Sequence, residues 1–170
     1  MSETEKIRPV ITKYLQGKIL DIGCGNDKVC LEAIGIDGRG SIGADIEVDG
    51  LVHLSDKLCD LLPFNVVYSS HVLEHLRNDT EALESWRELL GEGGLLILYL
   101  PDGRFYMNKE NPEHMRDYNF ADFMFYFKQS FCGEGKDYKG QNLPKLFELV
   151  ESGEHIGDNK YSFYIVARKL

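Results

Sequence analysis

The run Lys18-Ile19-Leu20-Asp21-Ile22-Gly23-Cys24-Gly25 constrains this chain more than any other. Lys18 to Ile22 reads as a short strand, and it feeds directly into Gly-x-Gly. Glycines at that place let the backbone pass close to a ligand and turn into the next element. Twenty residues beyond Gly25 comes Asp45, at the end of a second strand predicted over Gly40 to Asp45. A carboxylate there suits a ribose diol, because it accepts two hydroxyl hydrogen bonds. Lys28 stands where the dinucleotide fingerprint needs its third glycine. Asp21, inside the first strand, has no place in that fingerprint either. The combination disfavours a nicotinamide dinucleotide and fits a cofactor that carries an adenosine without a pyrophosphate.

The rest of the chain follows the same rhythm. Ser2 or Thr4 caps a first helix carrying Ile7, Val10, Ile11, Tyr14 and Leu15 at helical spacing, closed by Gly17. Asp27 to Ile34 reads as a brief helix. Leu51 to Leu54 is a candidate third strand, although only about five residues separate it from the second, too few for the usual crossover helix. Asn65 to Ser69 is a buried strand. Thr80 to Leu90 is a helix with Ala82, Leu83, Trp86, Leu89 and Leu90 on one face. Leu95 to Leu100 is an apolar strand stopped by Pro101-Asp102. Strands alternating with helices predict an α/β fold with a parallel sheet covered on both faces. In the last third, Phe120 to Phe131 has helical spacing and reads as core or as an apolar lid. Gly133 to Gly140 is a polar, glycine-rich surface loop. Lys145 to Ser152 and Lys160 to Lys169 read as two final strands.

Length and charge narrow the function. At 170 residues the chain is expected to be a single domain. Nineteen Lys and Arg against 28 Asp and Glu give a net charge of −9. Nucleic-acid affinity rests on a basic face, so an RNA or DNA acceptor is disfavoured, as is an anionic membrane surface. Leu95 to Leu100 is far too short to span a bilayer. Met1 to Lys6 does not resemble a signal peptide. Cys24, Cys30, Cys59 and Cys132 form no CxxC pair and read as reduced thiols of a cytoplasmic protein.

Asp21-Ile22-Gly23-Cys24-Gly25 resembles motif I of the class I S-adenosylmethionine-dependent methyltransferases. Gly43-Ala44-Asp45-Ile46 resembles their ribose-binding motif. Ser69-Ser70-His71-Val72-Leu73-Glu74-His75-Leu76 is similar to the segment after strand four in the small-molecule, type 11-like branch. The tract from Trp86 through Gly93-Gly94 to Asp102 resembles the helix and fifth strand. The resemblance covers about residues 17–103, with a weaker echo over 145–169. It implies a Rossmann-like, doubly wound, three-layer fold with a mostly parallel seven-stranded sheet and an antiparallel last strand. Residues 17–103 would be the cofactor half, and 104–170 the substrate side. It further implies S-adenosylmethionine as cofactor. The loop of Gly23, Cys24 and Gly25 would take the methionine part, Asp21 its ammonium, Asp45 the ribose and Ile46 the adenine. Ser69, Ser70 and His71 would line the sulfonium pocket. The chain departs from the family after strand three, where Leu54 and Ser55 replace the usual acid and Asp56 lies only nearby, and at Asn65, where many relatives have Asp.

His71 is the candidate general base, since an ordinary imidazole titrates in the useful range. His71 and His75 also lie four apart, a spacing that suits a metal pair, with His114, Asp102 or Asp117 as a third ligand. Glu74 does not complete a His-Glu-x-x-His order, so no metal is assigned. The segment after the fifth strand, 101–118, follows the sheet edge where ligands bind in open α/β folds. Asp102, Arg104, Tyr106 and His114 are the candidate substrate residues, and Arg116 and Tyr118 lie in the same loop. These readings converge on methyl transfer to a small-molecule acceptor. The context of His71 and of the 101–118 loop resembles relatives encoded with surface-polysaccharide enzymes, which implies a sugar-linked acceptor. The alternative is a non-catalytic cofactor-binding or partner-regulating protein of the same fold.

Overall fold

The computed structural model describes residues 1–38, 40–106 and 112–170. Part of the 101–118 loop, residues 107–111, therefore lies outside the described residues. A seven-stranded sheet runs in the order β3-β2-β1-β4-β5-β7-β6. β1 (Ile19–Ile22), β2 (Ile34–Asp37), β3 (Ile46–Glu47), β4 (Phe64–Ser70) and β5 (Leu90–Pro101) are parallel. β7 (Lys160–Lys169) is antiparallel both to β5 and to β6 (Phe147–Gly157). The doubly wound sheet with its reversed last strand is the expected architecture.

Both faces of the central strands are buried, which is why β4 and β5 read as nearly unbroken apolar runs. Val67, Leu96 and Leu98 face one layer; Val66, Tyr68, Ile97 and Tyr99 face the other. The first layer is α2 (Asp79–Leu89) and α3 (Phe120–Phe131). Asn78 caps α2 by accepting from the Glu81 N–H at 3.2 Å, and Asn119 caps α3 by accepting from the Asp122 N–H at 3.0 Å. A side-chain acceptor at this place satisfies one of the orphan donors of the first turn. Phe123, Phe127 and Phe131 of α3 are buried, so the aromatic helix is core rather than lid. The second layer is α1 (Glu3–Ile11), capped by Ser2 and packed through Ile7 and Ile11.

The two strands after the glycine loop lie elsewhere than predicted. β2 is Ile34–Asp37 rather than 40–45, and β3 is the two-residue Ile46–Glu47 rather than 51–54. The helix expected over 27–34 does not form. The backbone groups that would build it have other partners. Arg8 donates to the carbonyls of Val29 (2.9 Å) and Lys28 (3.0 Å) and to Asp27 Oδ1 (2.7 Å). Asp21 Oδ2 accepts from the Val29 N–H at 2.6 Å. Charged side chains thus hold this crossover in irregular form under α1. Among the described residues, no helix is long and apolar enough to cross a membrane.

Candidate functional site

A cleft of about 460 Å³ opens beyond the carboxyl ends of β1, β2 and β4. Gly23 and Asp37 line one side, His71, Val72 and His75 the other, and Leu51, Leu76 and Glu113 complete it. Gly23 sits at φ +72°, and a Cβ there would come within 2.2 Å of Val72 Cγ2. Only glycine lets the end of β1 pass this close to the segment after β4. The Gly25 N–H donates to Asp37 Oδ2 and the Gly38 N–H to Asp37 Oδ1, each at 2.6 Å. Two backbone donors thus orient the Asp37 carboxylate beside the glycine loop, and each oxygen keeps a further lone pair for a ligand.

Asp37, not Asp45, ends β2. Asp45 lies beside the middle of that strand, where its Oδ2 accepts from Lys28 Nζ and from the Gly35 N–H, both at 2.8 Å. The bond from Lys28, helped by that from Gly35, holds the Asp45 carboxyl below its usual range. Asp21 is buried beneath the loop, and loss of solvation pushes its carboxyl up to about 7 despite the bond from Val29. The Cys24 side chain is also buried, with its thiol raised to about 12 by desolvation, so only its backbone can serve a ligand. Ile46 is half-buried and pairs with Ile36 on the edge strand. Ser69 is buried and donates to the Ile22 carbonyl at 3.1 Å, tying β4 to β1. Ser70 ends β4 opposite Tyr99.

His71 follows at φ +53°, its N–H bonded to the Tyr99 carbonyl at 2.8 Å. Its Nε2 lies 2.9 Å from Ser162 Oγ. Burial pushes this imidazole down to about 4, so it is neutral at pH 7 and its Nδ1 and Nε2 have one proton between them. His71 and His75 both reach the cleft, but through a short 3₁₀ turn, Leu73–His75, rather than an α-helix. The turn drives Glu74 inward, fully buried, where desolvation raises its carboxyl to about 8.

The predicted substrate residues separate into two groups. Tyr106 stacks on Tyr161 (ring centroids 4.8 Å apart) and lies 5.5 Å from His114. His114 in turn meets His75 edge-on at 4.7 Å, so these rings adjoin the cleft. Asp102 and Arg104 instead bind each other. Arg104 Nε donates to Asp102 Oδ1 at 2.8 Å and its Nη2 to Oδ2 at 2.6 Å, with a further ion pair to Glu154. Sequence reasoning assigns no site role to Asp37 or Leu51, and it weighs Glu74 for a metal without assigning one. Ile34-Gly35-Ile36-Asp37, three strand-compatible residues ended by an acid, did carry a signal for the first. Nothing local marks the other two.

A family model described as a methyltransferase domain matches residues 3–136. A tRNA U34 carboxymethyltransferase from Aliivibrio fischeri is 29% identical over 113 residues, covering 55% of this chain and 35% of that protein. The chain thus spans about a third of the length of that relative. Among solved structures, a Haloferax volcanii methyltransferase in complex with the activator Trm112 superposes with a TM-score of 0.62 at 10% identity, covering 98% of this chain and 90% of the other. The magnesium protoporphyrin IX methyltransferase of Synechocystis, with bound SAH, gives a TM-score of 0.60 at 14% identity over 98% and 82%.

Proposed function

Because the chain belongs to the methyltransferase-domain family, we propose that it transfers a methyl group from S-adenosylmethionine to a small-molecule acceptor. The observation that carries this reading is the cleft, where Gly23, Asp37 and His71 stand together at the ends of three neighbouring strands. The glycine loop takes the methionine portion, with the Asp21 carboxyl beneath it as counter-charge for the ammonium. Asp37 holds the ribose hydroxyls, the part the sequence reading gave to Asp45. Leu51 is the apolar wall for the adenine, with Ile46 on the edge strand nearby. Ser70 and His71 border the sulfonium, and Ser69 acts by fixing β4 against β1.

A sulfonium is already activated, so the protein's work is to align the acceptor and exclude water. Tyr106 and His114 stand where the acceptor enters. Asp102 and Arg104 hold that rim in place by their ion pair. Among the described residues no Lys or Arg lines the cleft, and the net charge is −9. Both count against a polyanion, so the tRNA acceptor of the Aliivibrio relative is not carried over. A sugar-linked acceptor gains no support from the relatives, and the reading stays with a small molecule. None of the four cysteines is paired, which fits a reducing compartment such as the cytoplasm.

Calorimetry with S-adenosylmethionine, S-adenosylhomocysteine and NAD is the test. Binding of the first two and not of NAD is expected; no binding of either at millimolar concentration overturns the reading. Turnover on a panel of hydroxyl, amine and thiol acceptors then separates an enzyme from a non-catalytic binder.

A further inference from the structure

Glu74 and His75, which the methyl-transfer reading leaves without a task, converge with His114 beside the cleft. Glu74, His75 and His114 each offer a ligand atom, and these atoms all lie within 4.8 Å of one another. Glu74 Oε1 is 3.9 Å from His75 Nε2 and 3.8 Å from His114 Nε2. Such separations are too long for hydrogen bonds. Glu74 with either histidine thus fits two metal–ligand bonds of about 2.0–2.1 Å, and the whole set, spread over as much as 4.8 Å, contracts slightly on binding an ion. Glu74 has no exposed surface and His114 is 5% exposed. Among the described residues, neither Glu74 oxygen has a hydrogen-bond partner. A buried carboxylate left so is costly unless a cation or proton meets it.

We propose that Glu74, His75 and His114 bind a divalent first-row transition ion of the zinc class at the edge of the cofactor cleft. The donor set decides the class. Two imidazoles and one carboxylate with positions left open form the His₂Glu pattern of catalytic zinc, whereas magnesium and calcium prefer all-oxygen cages. The orientation agrees. His75 Nδ1 donates to the Glu113 carbonyl at 3.2 Å, which leaves Nε2 as the free lone pair directed at Glu74. Metal-bound histidines are commonly fixed by this kind of outer bond. The Met115 N–H donates to the Glu74 carbonyl at 2.8 Å, fastening the His114 segment onto the Glu74 turn. His71 Nδ1 also lies 3.9 Å from Glu74 Oε1, on the side toward Gly23 and Asp37.

His75 lines the same cleft as Gly23 and Asp37, so an ion held there would border the site proposed for the methyl donor. The ligand expected there is an acceptor oxygen, a hydroxyl or phenol, whose proton the ion makes easier to lose to solvent. This role rests on the methyltransferase reading; binding of the ion does not.

The test is a titration of the chelator-treated chain with Zn²⁺ by calorimetry and with Co²⁺ by visible absorption, without cofactor. One equivalent is expected to bind. Glu74→Gln and His114→Ala should each weaken binding at least tenfold, while His53→Ala, at an exposed site, leaves it unchanged. Thermal melts of the metal-free variants check folding. Should one variant fail to fold, NMR of the Co²⁺-loaded wild type still decides, because two histidine imidazoles must show paramagnetic shifts. Absence of Zn²⁺ and Co²⁺ binding, unchanged binding in both variants, or no shifted imidazole overturns the proposal. S-adenosylhomocysteine binding measured separately keeps the two readings apart: binding of the nucleoside without the metal removes only this site, and metal without nucleoside removes only the methyltransferase reading.

Discussion

The chain makes two parallel crossovers beside the cleft, and it builds them in opposite ways. Between β4 and β5 it uses a 3₁₀ turn and the 11-residue helix α2, whose Ala82, Leu83, Trp86 and Leu89 are fully buried. Between β1 and β2 it forms no helix, and residues 26–33 are held by Arg8 and Asp21. The first crossover is stabilised by apolar area, the second by charge-assisted hydrogen bonds to backbone. Apolar packing is periodic along the chain and insensitive to small displacements. Polar clamps are local and directional, and a single side chain can decide them.

The contrast can be broken by substitution. Trp86→Ala removes a fully buried indole and its 2.7 Å bond to the Leu51 carbonyl. It should cost about 3–5 kcal/mol in urea unfolding. A much smaller loss would mean that α2 is not held by its apolar face.

The pH dependence of stability tests Asp21 next, with the buried Glu74 of the other crossover contributing in the same direction. Desolvation raises the Asp21 carboxyl from 3.8 to about 7 in the folded chain. The folded state therefore keeps this proton where the unfolded state has released it. Stability from this group is full below about pH 4 and is lost as pH rises toward 7, by at most about 1.4 kcal/mol per unit. Asp21→Asn should flatten that slope in unfolding curves taken between pH 4 and 8, while its carbonyl still accepts from Val29. An unaltered slope would place the charge penalty elsewhere.

Asp37→Ala should weaken S-adenosylhomocysteine binding about 10–100-fold, the value of charged hydrogen bonds of roughly 1.5–3 kcal/mol. Asp45→Ala, whose carboxylate is bound to Lys28, should change it little. The reverse ranking would restore the acid chosen from sequence spacing. A modest effect on stability is expected at Arg8. Arg8→Ala loses bonds to Asp27, Lys28 and Val29. Its side chain is 33% exposed, so solvent screening limits the loss to about 1–2 kcal/mol. Cofactor binding should weaken alongside, because this clamp supports the glycine loop. If chemical unfolding and calorimetry both stay at wild-type values, the loop stands without it.

The same contrast explains what could be read in advance. α3 was legible to the residue, Phe120–Phe131, because its phenylalanines recur at helical spacing. β7 was legible because Tyr161, Phe163, Tyr164, Ile165 and Val166 give Lys160–Lys169 its β-branched and aromatic content. β4 was legible to within one residue at each end; the apolar run Leu95 to Leu100 marks β5, but that strand begins at Leu90, which the helical spacing assigns to the end of the preceding helix. Between residues 26 and 47 the reading failed. An eight-residue stretch such as 27–34 looks helical by composition. The decision belonged to Arg8, about twenty positions away, and to Asp21, on another strand. The misplaced strand then carried the acid at its end with it, from Asp37 to Asp45.

By itself, then, the sequence determined the alternating α/β layers, the two final strands and the glycine loop, since each is written in apolar periodicity, residue type or local backbone freedom; the reversal of the last strand came only as what the family resemblance implies. The tertiary structure decided which acid ends β2 at the cleft and what surrounds Glu74. The His-Val-Leu-Glu-His run has no metal order along the chain. The 3₁₀ turn buries its glutamate, and the Glu74–Met115 backbone bond brings His114 alongside. Contacts between residues forty positions apart depend on where the chain returns, and no local pattern encodes that return.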